Sequence, residues 1–200
     1  KSFNLSGRTK MSFEAKAYGT VGVVGAGAWG TALALVAARG GRRVTLWALE
    51  PEVVRDVNAT QLNGRYLPGI QLPANISATG ELADVAKAQA LLMVAPAQFL
   101  RATLKKLRPH LANGTPVVLC AKGIERATGL FLTEVLKAEA PECEAAILSG
   151  PSFARDAALG LPTAVTIAAR QEIAARLQVT MAHGTFRPYA SDDLIGVALG

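Results

Sequence analysis

The run Gly25-Ala26-Gly27-Ala28-Trp29-Gly30 has the spacing GxGxxG. Glycines at these intervals suit a backbone that turns sharply at Gly25, comes close to a bulky anion at Gly27 and lets a helix pack tightly at Gly30. The anion would be the diphosphate of a dinucleotide. It would be held by the free N–H groups and the positive dipole end of the helix that Ala28 and Trp29 open. The same glycines also fit a plain chain reversal, or a site for FAD or an S-adenosylmethionine-like ligand. Glu50 lies 20 residues after Gly30, where a carboxylate can accept hydrogen bonds from adenosine ribose hydroxyls. It fits equally an acid facing the dipole of the next helix. Leu49 offers no cation to a ribose 2′-phosphate, so charge favours NAD over NADP.

Other strand ends carry further candidates, because ligands of open parallel sheets bind outside the carboxyl ends of the strands. Pro96 redirects the chain after one apolar run, and Phe99 could stack on a nicotinamide or ribose, or simply fill the core. Lys122 follows a buried run and precedes Gly123. It suits an anionic substrate group as a point charge, or a surface position. Gly150 and Ser152 lie between a strand and a helix, where backbone amides could hold a carboxamide. The spacing there is not that of a nucleophile elbow. His110 and His183 are the only histidines, and neither has a cysteine nearby in sequence, so no metal site is expected. Cys120 reads as a small buried hydrophobe, Asp192 as a helix N-cap, and Arg155-Asp156 as a solvated helix face.

The elements that must position these residues alternate. Strands are expected at 21–24, 43–48, 76–78, 90–95, 116–120, 145–148, 163–168 and 185–189. Helices are expected at 28–39, 51–59, 81–87, 97–107, 130–140, 153–159, 172–181 and 193–200. Continuous apolar strands separated by helices imply crossover units on a sheet covered on both faces. The fold class is therefore α/β, a Rossmann-type, doubly wound, mostly parallel sheet. Residues 1–19 read as a flexible leader, 20–191 as the dinucleotide-binding domain, and 192–200 as the start of a helix leading to a further domain. Arg42 and Arg43 read as a solvated turn at the far end of the second strand, and Asn63-Gly64, Pro68-Gly69 and Pro73 as turn formers.

Composition narrows the classes. In 200 residues, 50% are hydrophobic and 18% charged, which excludes a disordered chain. Two cysteines make no disulfide framework and suggest a reducing, cytoplasmic setting. The apolar runs are too short for a membrane span. The net charge is +6, and half of it falls within residues 1–20, which hold Lys1, Arg8, Lys10 and Lys16 against Glu14. The remainder forms no basic stripe interleaved with aromatics, so nucleic acid is not an expected partner.

Together the segments VGVVGAGAWGTALA, RVTLWALEPE, NGRYLPGI, VAPAQF, CAKGIE, LSGPSFA, GLPTAV and DDLIGVALG resemble the NAD(P)-dependent glycerol-3-phosphate dehydrogenase family of bacterial type, from about Val21 to Gly200. The resemblance implies reduction of dihydroxyacetone phosphate to sn-glycerol 3-phosphate with NADH or NADPH for phospholipid synthesis, by a homodimer when full length. It implies cofactor contacts from Gly25, Gly27, Ala28, Trp29, Gly30, Leu49, Glu50, Pro96, Phe99, Lys122 and Ala154, and substrate contacts from Lys122, Gly150 and Ser152. Ala28 stands where many members have Ser. Leu49 stands where NADPH-using members often have Arg or His. A related 6-phosphogluconate or hydroxy-acid dehydrogenase, and a non-catalytic dinucleotide sensor, are the alternative readings.

In the family the general-acid lysine follows the DDLIGVALG segment, whereas the last lysine here is Lys137. A positioned general acid contributes about 10²–10⁴-fold. These 200 residues are therefore expected to bind the dinucleotide but to reduce dihydroxyacetone phosphate far below the ~1–10³ per second of ordinary enzymes. A steady-state assay that finds turnover in that range contradicts this expectation.

Overall fold

The computed structural model describes residues 15–199. Eight strands form one sheet: β1 (Thr20–Val24), β2 (Arg43–Trp47), β3 (Ile76–Thr79), β4 (Ala90–Met93), β5 (Pro116–Leu119), β6 (Glu144–Ser149), β7 (Thr163–Ala169) and β8 (Phe186–Ser191). The helices between them are α1 (Ala28–Arg39), α2 (Pro51–Thr60), α3 (Leu82–Val85), α4 (Leu100–Leu107), α5 (Leu132–Glu139), α6 (Ala154–Leu159), α7 (Gln171–Met181) and α8 (Leu194–Leu199). The strand order is β3-β2-β1-β4-β5-β6-β7-β8. The first six are parallel. β7 runs antiparallel to β6, and β8 is parallel to β7. The doubly wound, mostly parallel sheet expected from the alternation is the observed fold.

Alternate side chains explain why the strands are apolar throughout. Leu92 of β4, Val118 of β5 and Leu148 of β6 join the core under α1, α2, α6 and α7. Their neighbours Leu91, Met93, Val117, Leu119 and Ile147 join the opposite core with α4 and α5. Small side chains set the packing of α1, which is buried from Gly30 to Ala38 and touches Ala157 and Ala158 of α6 within the same core. No helix among the described residues is long and apolar enough to cross a membrane.

Several local expectations change. Residues 97–107 are not one helix. A 3-10 turn (Ala97–Phe99) follows Pro96 and then passes into α4. The last helix is capped by Asp193, not Asp192: the Gly196 N–H donates to Asp193 Oδ1 at 2.8 Å. Part of the expected leader is packed. Tyr18 is 4% exposed, and its N–H donates to Thr180 Oγ1 at 2.9 Å. The Arg176 guanidinium lies 4.0 Å from the Tyr18 ring centre, close enough for cation–π attraction. The body thus begins before Thr20, while residues 1–14 of that leader lie outside the described residues. Arg42, read as part of a solvated turn, donates from Nε to the Thr180 carbonyl at 3.4 Å.

The chain is tightly packed at the β1–α1 junction. Gly25 has φ +116°, a region that favours glycine. A Cβ on Gly30 would lie 1.8 Å from the Gly25 carbonyl oxygen. Replacing Gly30 by Ala must push helix and loop apart, at a cost of about 3 kcal/mol or more. Urea unfolding of Gly30→Ala should show that loss, whereas a change near zero would mean that the junction is slack.

Candidate functional site

The sheet order reverses between β1 and β4, and a cleft of about 640 Å³ opens there at the strand carboxyl ends. Its lining includes Gly25, Ala26, Gly27, Ala28, Trp29 and Gly30 on one side, Leu49, Glu50 and Tyr66 at one end, and Pro96 and Phe99 opposite. A Cβ on Gly27 would meet no protein atom within 4 Å, so the backbone there faces open space. α1 begins at Ala28 with no acid in its first turn, as do α4 and α8, whereas α2, α5 and α7 carry Glu52, Glu134 and Glu172 in theirs. The free amides and the dipole of α1 are thus left unneutralised toward the cleft. Leu49 is 76% and Phe99 63% exposed, so both are available to a ligand rather than locked in the core.

A second hollow of about 170 Å³ adjoins the first through Trp29, which lines both. Cys120, Lys122, Gly150 and Ser152 surround it. Ser152 Oγ is buried and has no hydrogen-bond partner among the described residues, an orphaned polar atom that a polar ligand group would satisfy. Burial pushes the Cys120 thiol well above its ordinary pKa, so it stays protonated and inert. Among the expected site residues, Ala154 stands apart. It is the first residue of α6, packs against the core and lines neither cavity.

The loop bearing Lys122 is fixed from α4 and the turn before it. Gln98 Nε2 donates to the Ile124 carbonyl at 2.9 Å, and the Arg126 N–H donates to Gln98 Oε1 at 3.0 Å. Arg101 grips Glu125 with two parallel bonds of 2.8 and 2.9 Å and also reaches Glu139 on α5. The bonds from Arg101 and Thr128 hold the Glu125 carboxyl down at about 2. The loop therefore keeps its anchor in mild acid. This clamp escaped the sequence reading because its members lie 24 and 38 residues apart from Arg101, with no short motif to announce them.

At the other end of the cleft Tyr66 OH donates to Glu50 Oε1 at 2.5 Å. That bond holds the Glu50 carboxyl below its usual range and raises the Tyr66 phenol. Arg65 lies 5.3 Å from the Tyr66 ring centre and pairs with Glu52 at 2.5 Å. Glu50 is thus an ionised carboxylate in the lining of the cleft, at the start of α2 but making no side-chain cap to it. Tyr66 was legible only as part of NGRYLPGI.

A doubly wound sheet with a glycine-rich first turn at its strand-order reversal, and an acceptor carboxylate past the second strand, defines a dinucleotide-binding domain of the Rossmann class. A family model described as NAD-dependent glycerol-3-phosphate dehydrogenase N-terminus matches residues 20–175. A glycerol-3-phosphate dehydrogenase [NAD(P)+] of Parvibaculum lavamentivorans is 58% identical over 185 residues, which is 92% of this chain and 56% of that protein. The crystal structure of a Coxiella burnetii glycerol-3-phosphate dehydrogenase superposes with TM-score 0.85 at 34% identity, covering 92% of this chain and 56% of the other. A 3-hydroxyisobutyrate dehydrogenase of Salmonella typhimurium, at 22% identity and TM-score 0.63, shares the fold alone. The chain belongs to the NAD-dependent glycerol-3-phosphate dehydrogenase family, of whose N-terminal region it is a member, and it spans little more than half the length of these relatives.

Tyr66→Phe removes the donor that holds the Glu50 carboxyl low, so the Glu50 pKa should rise toward the ordinary ~4.3. An NMR titration of the glutamate side chains reads this directly, and an unmoved Glu50 curve would contradict the assigned cause.

Proposed function

We propose that this chain is the dinucleotide-binding part of an sn-glycerol-3-phosphate dehydrogenase, which reduces dihydroxyacetone phosphate to sn-glycerol 3-phosphate for phospholipid synthesis. The observation that carries the reading is the cleft at the β1/β4 reversal, which shares Trp29 with the adjoining hollow that Lys122 and Ser152 line. Bound in that cleft, a nicotinamide dinucleotide supplies the hydride.

The amides at the start of α1 hold the diphosphate, and Gly27 leaves room for it to approach. Glu50, ionised by its bond from Tyr66, accepts from the adenosine ribose hydroxyls. The same negative charge repels a 2′-phosphate and Leu49 supplies no cation, so NAD is favoured over NADP. Pro96 turns the chain over the cleft, where the exposed Phe99 ring packs on the nicotinamide or ribose. The Lys122 ammonium neutralises substrate charge at the mouth of the second hollow, where Gly150 and Ser152 orient the polar groups it meets. Ala154 contributes by seating the α6 turn on the core. The working unit runs from the packed Tyr18 through β8, and α8 leads on to the rest of a longer, homodimeric, cytoplasmic enzyme. No metal takes part.

Fluorescence titration of the chain should give saturable NADH binding, with NADPH weaker by several-fold. In the full-length protein, Lys122→Ala should raise the KM for dihydroxyacetone phosphate by about tenfold or more, the loss of one charge-assisted contact, and leave the Kd for NADH nearly unchanged. Abolished NADH binding with substrate affinity intact would give Lys122 the opposite role. No binding of either nucleotide by the unmodified chain would overturn the reading as a whole.

A further inference from the structure

Asn63 sits in the connection between α2 and β3, a segment whose polar turn-forming residues would suffice to explain its presence at the surface. Yet it is 1% exposed. Its Nδ2 donates to the Ala26 carbonyl and to Thr31 Oγ1, both at 2.8 Å. Thr31, fully buried in α1, donates in turn to the same Ala26 carbonyl at 3.1 Å. Asn63 Oδ1 accepts the Tyr66 N–H at 3.3 Å, and the Asn63 carbonyl accepts the Leu67 N–H at 2.9 Å. Three residues past Asn63, Tyr66 reaches Glu50.

Ala26 is the residue between the first two glycines of the turn, and its carbonyl is fixed by two buried donors from different elements. Rotating that peptide would swing the Gly27 N–H and the approach to the α1 amides with it. The main competitor to the observed turn is a flipped peptide, because Gly25 and Gly27 impose little conformational restraint of their own. A donor on a buried amide that lacks an alternative partner penalises the flipped state strongly. The Asn63 bracket therefore selects one arrangement of a loop whose glycines would otherwise leave it free.

We infer that Asn63 is a positioning residue for the dinucleotide. Acting through the Ala26 carbonyl, it holds the glycine turn in its anion-accepting form. The inference deepens the dinucleotide reading above and rests on it. Asn63 itself touches no ligand, and it lines neither cavity. Its effect must therefore fall on those parts of the ligand that the glycine turn holds.

The test compares Asn63→Ala with the unmodified chain at a temperature well below the melting point of both. NADH and ADP are titrated by calorimetry, and adenosine, which lacks the phosphates, by ligand-observed NMR. The expected result is a loss of about tenfold or more for NADH and ADP alike, the scale of one to two buried hydrogen bonds, with adenosine affinity changed less than twofold. A folded Asn63→Ala that binds NADH within twofold of the unmodified chain overturns the inference. So does an equal loss for adenosine, which would mean a general loosening of the fold. Should Asn63→Ala fail to fold, Thr31→Val removes one donor to the Ala26 carbonyl at nearly constant shape. It should weaken ADP by several-fold and spare adenosine, and unchanged ADP affinity would overturn the inference. If the unmodified chain binds neither NADH nor ADP, the dinucleotide reading fails rather than the role of Asn63.

Discussion

How closely α1 can approach the end of β1 governs the site. Gly30 lies against the Gly25 carbonyl so tightly that a methyl group has no room, and the positive φ of Gly25 aims the chain into the helix. This contact places the first turn of α1 at the point where the sheet order reverses. The burial of α1 between the sheet and α6 then follows from its run of small and aliphatic residues. The helix also has no acid in its first turn. Its dipole and free amides thus form a positive end that the protein itself leaves uncompensated.

The rest of the constellation is set relative to that end by polar clamps rather than by motif residues. Asn63 and Thr31 fix the glycine turn, and Tyr66 fixes Glu50. Gln98 and Arg101 fix the loop that carries Lys122. Each clamp joins elements distant in sequence. The Arg101–Glu125–Glu139 group is largely shielded. Pairs of this kind contribute less to net stability than to holding one geometry, since desolvation offsets much of the attraction between the charges. A crevice that accepts charge at one end and offers it at the other needs such fixed partners, because a mobile lysine or glutamate would be screened by water.

Much of this was legible in the sequence, for a physical reason in each case. Strands buried on both faces must be apolar at every position, so β1, β4 and β5 stood out, although the apolar runs to 95 and 120 overran the ends of β4 and β5 at Met93 and Leu119. The glycine turn was legible because its steric demands exclude other residues at Gly25 and Gly30. What stayed hidden depended on long-range contacts that leave no periodic trace. Asn63 reads as a turn former because asparagine serves that purpose locally, and nothing in the sequence says that its amide is buried against Ala26. Tyr18 reads as part of a polar tail until Thr180 and Arg176 are seen around it. The N-cap could be misplaced by one residue because Asp192 and Asp193 are chemically equivalent, and only backbone direction chooses Asp193. Ala154 shows the converse. A motif position can be legible and still face the core.

We propose that this chain meets a dinucleotide in the crevice at the β1/β4 reversal. Amide chemical-shift mapping of the ¹⁵N-labelled chain during NADH addition tests it most directly. Saturable shifts are expected at Gly25 to Gly30, Glu50, Tyr66 and Phe99, with the groove lined by Arg43, Ser77 and Lys87 unaffected. Shifts concentrated in that groove, or none on saturation with NADH, would contradict it.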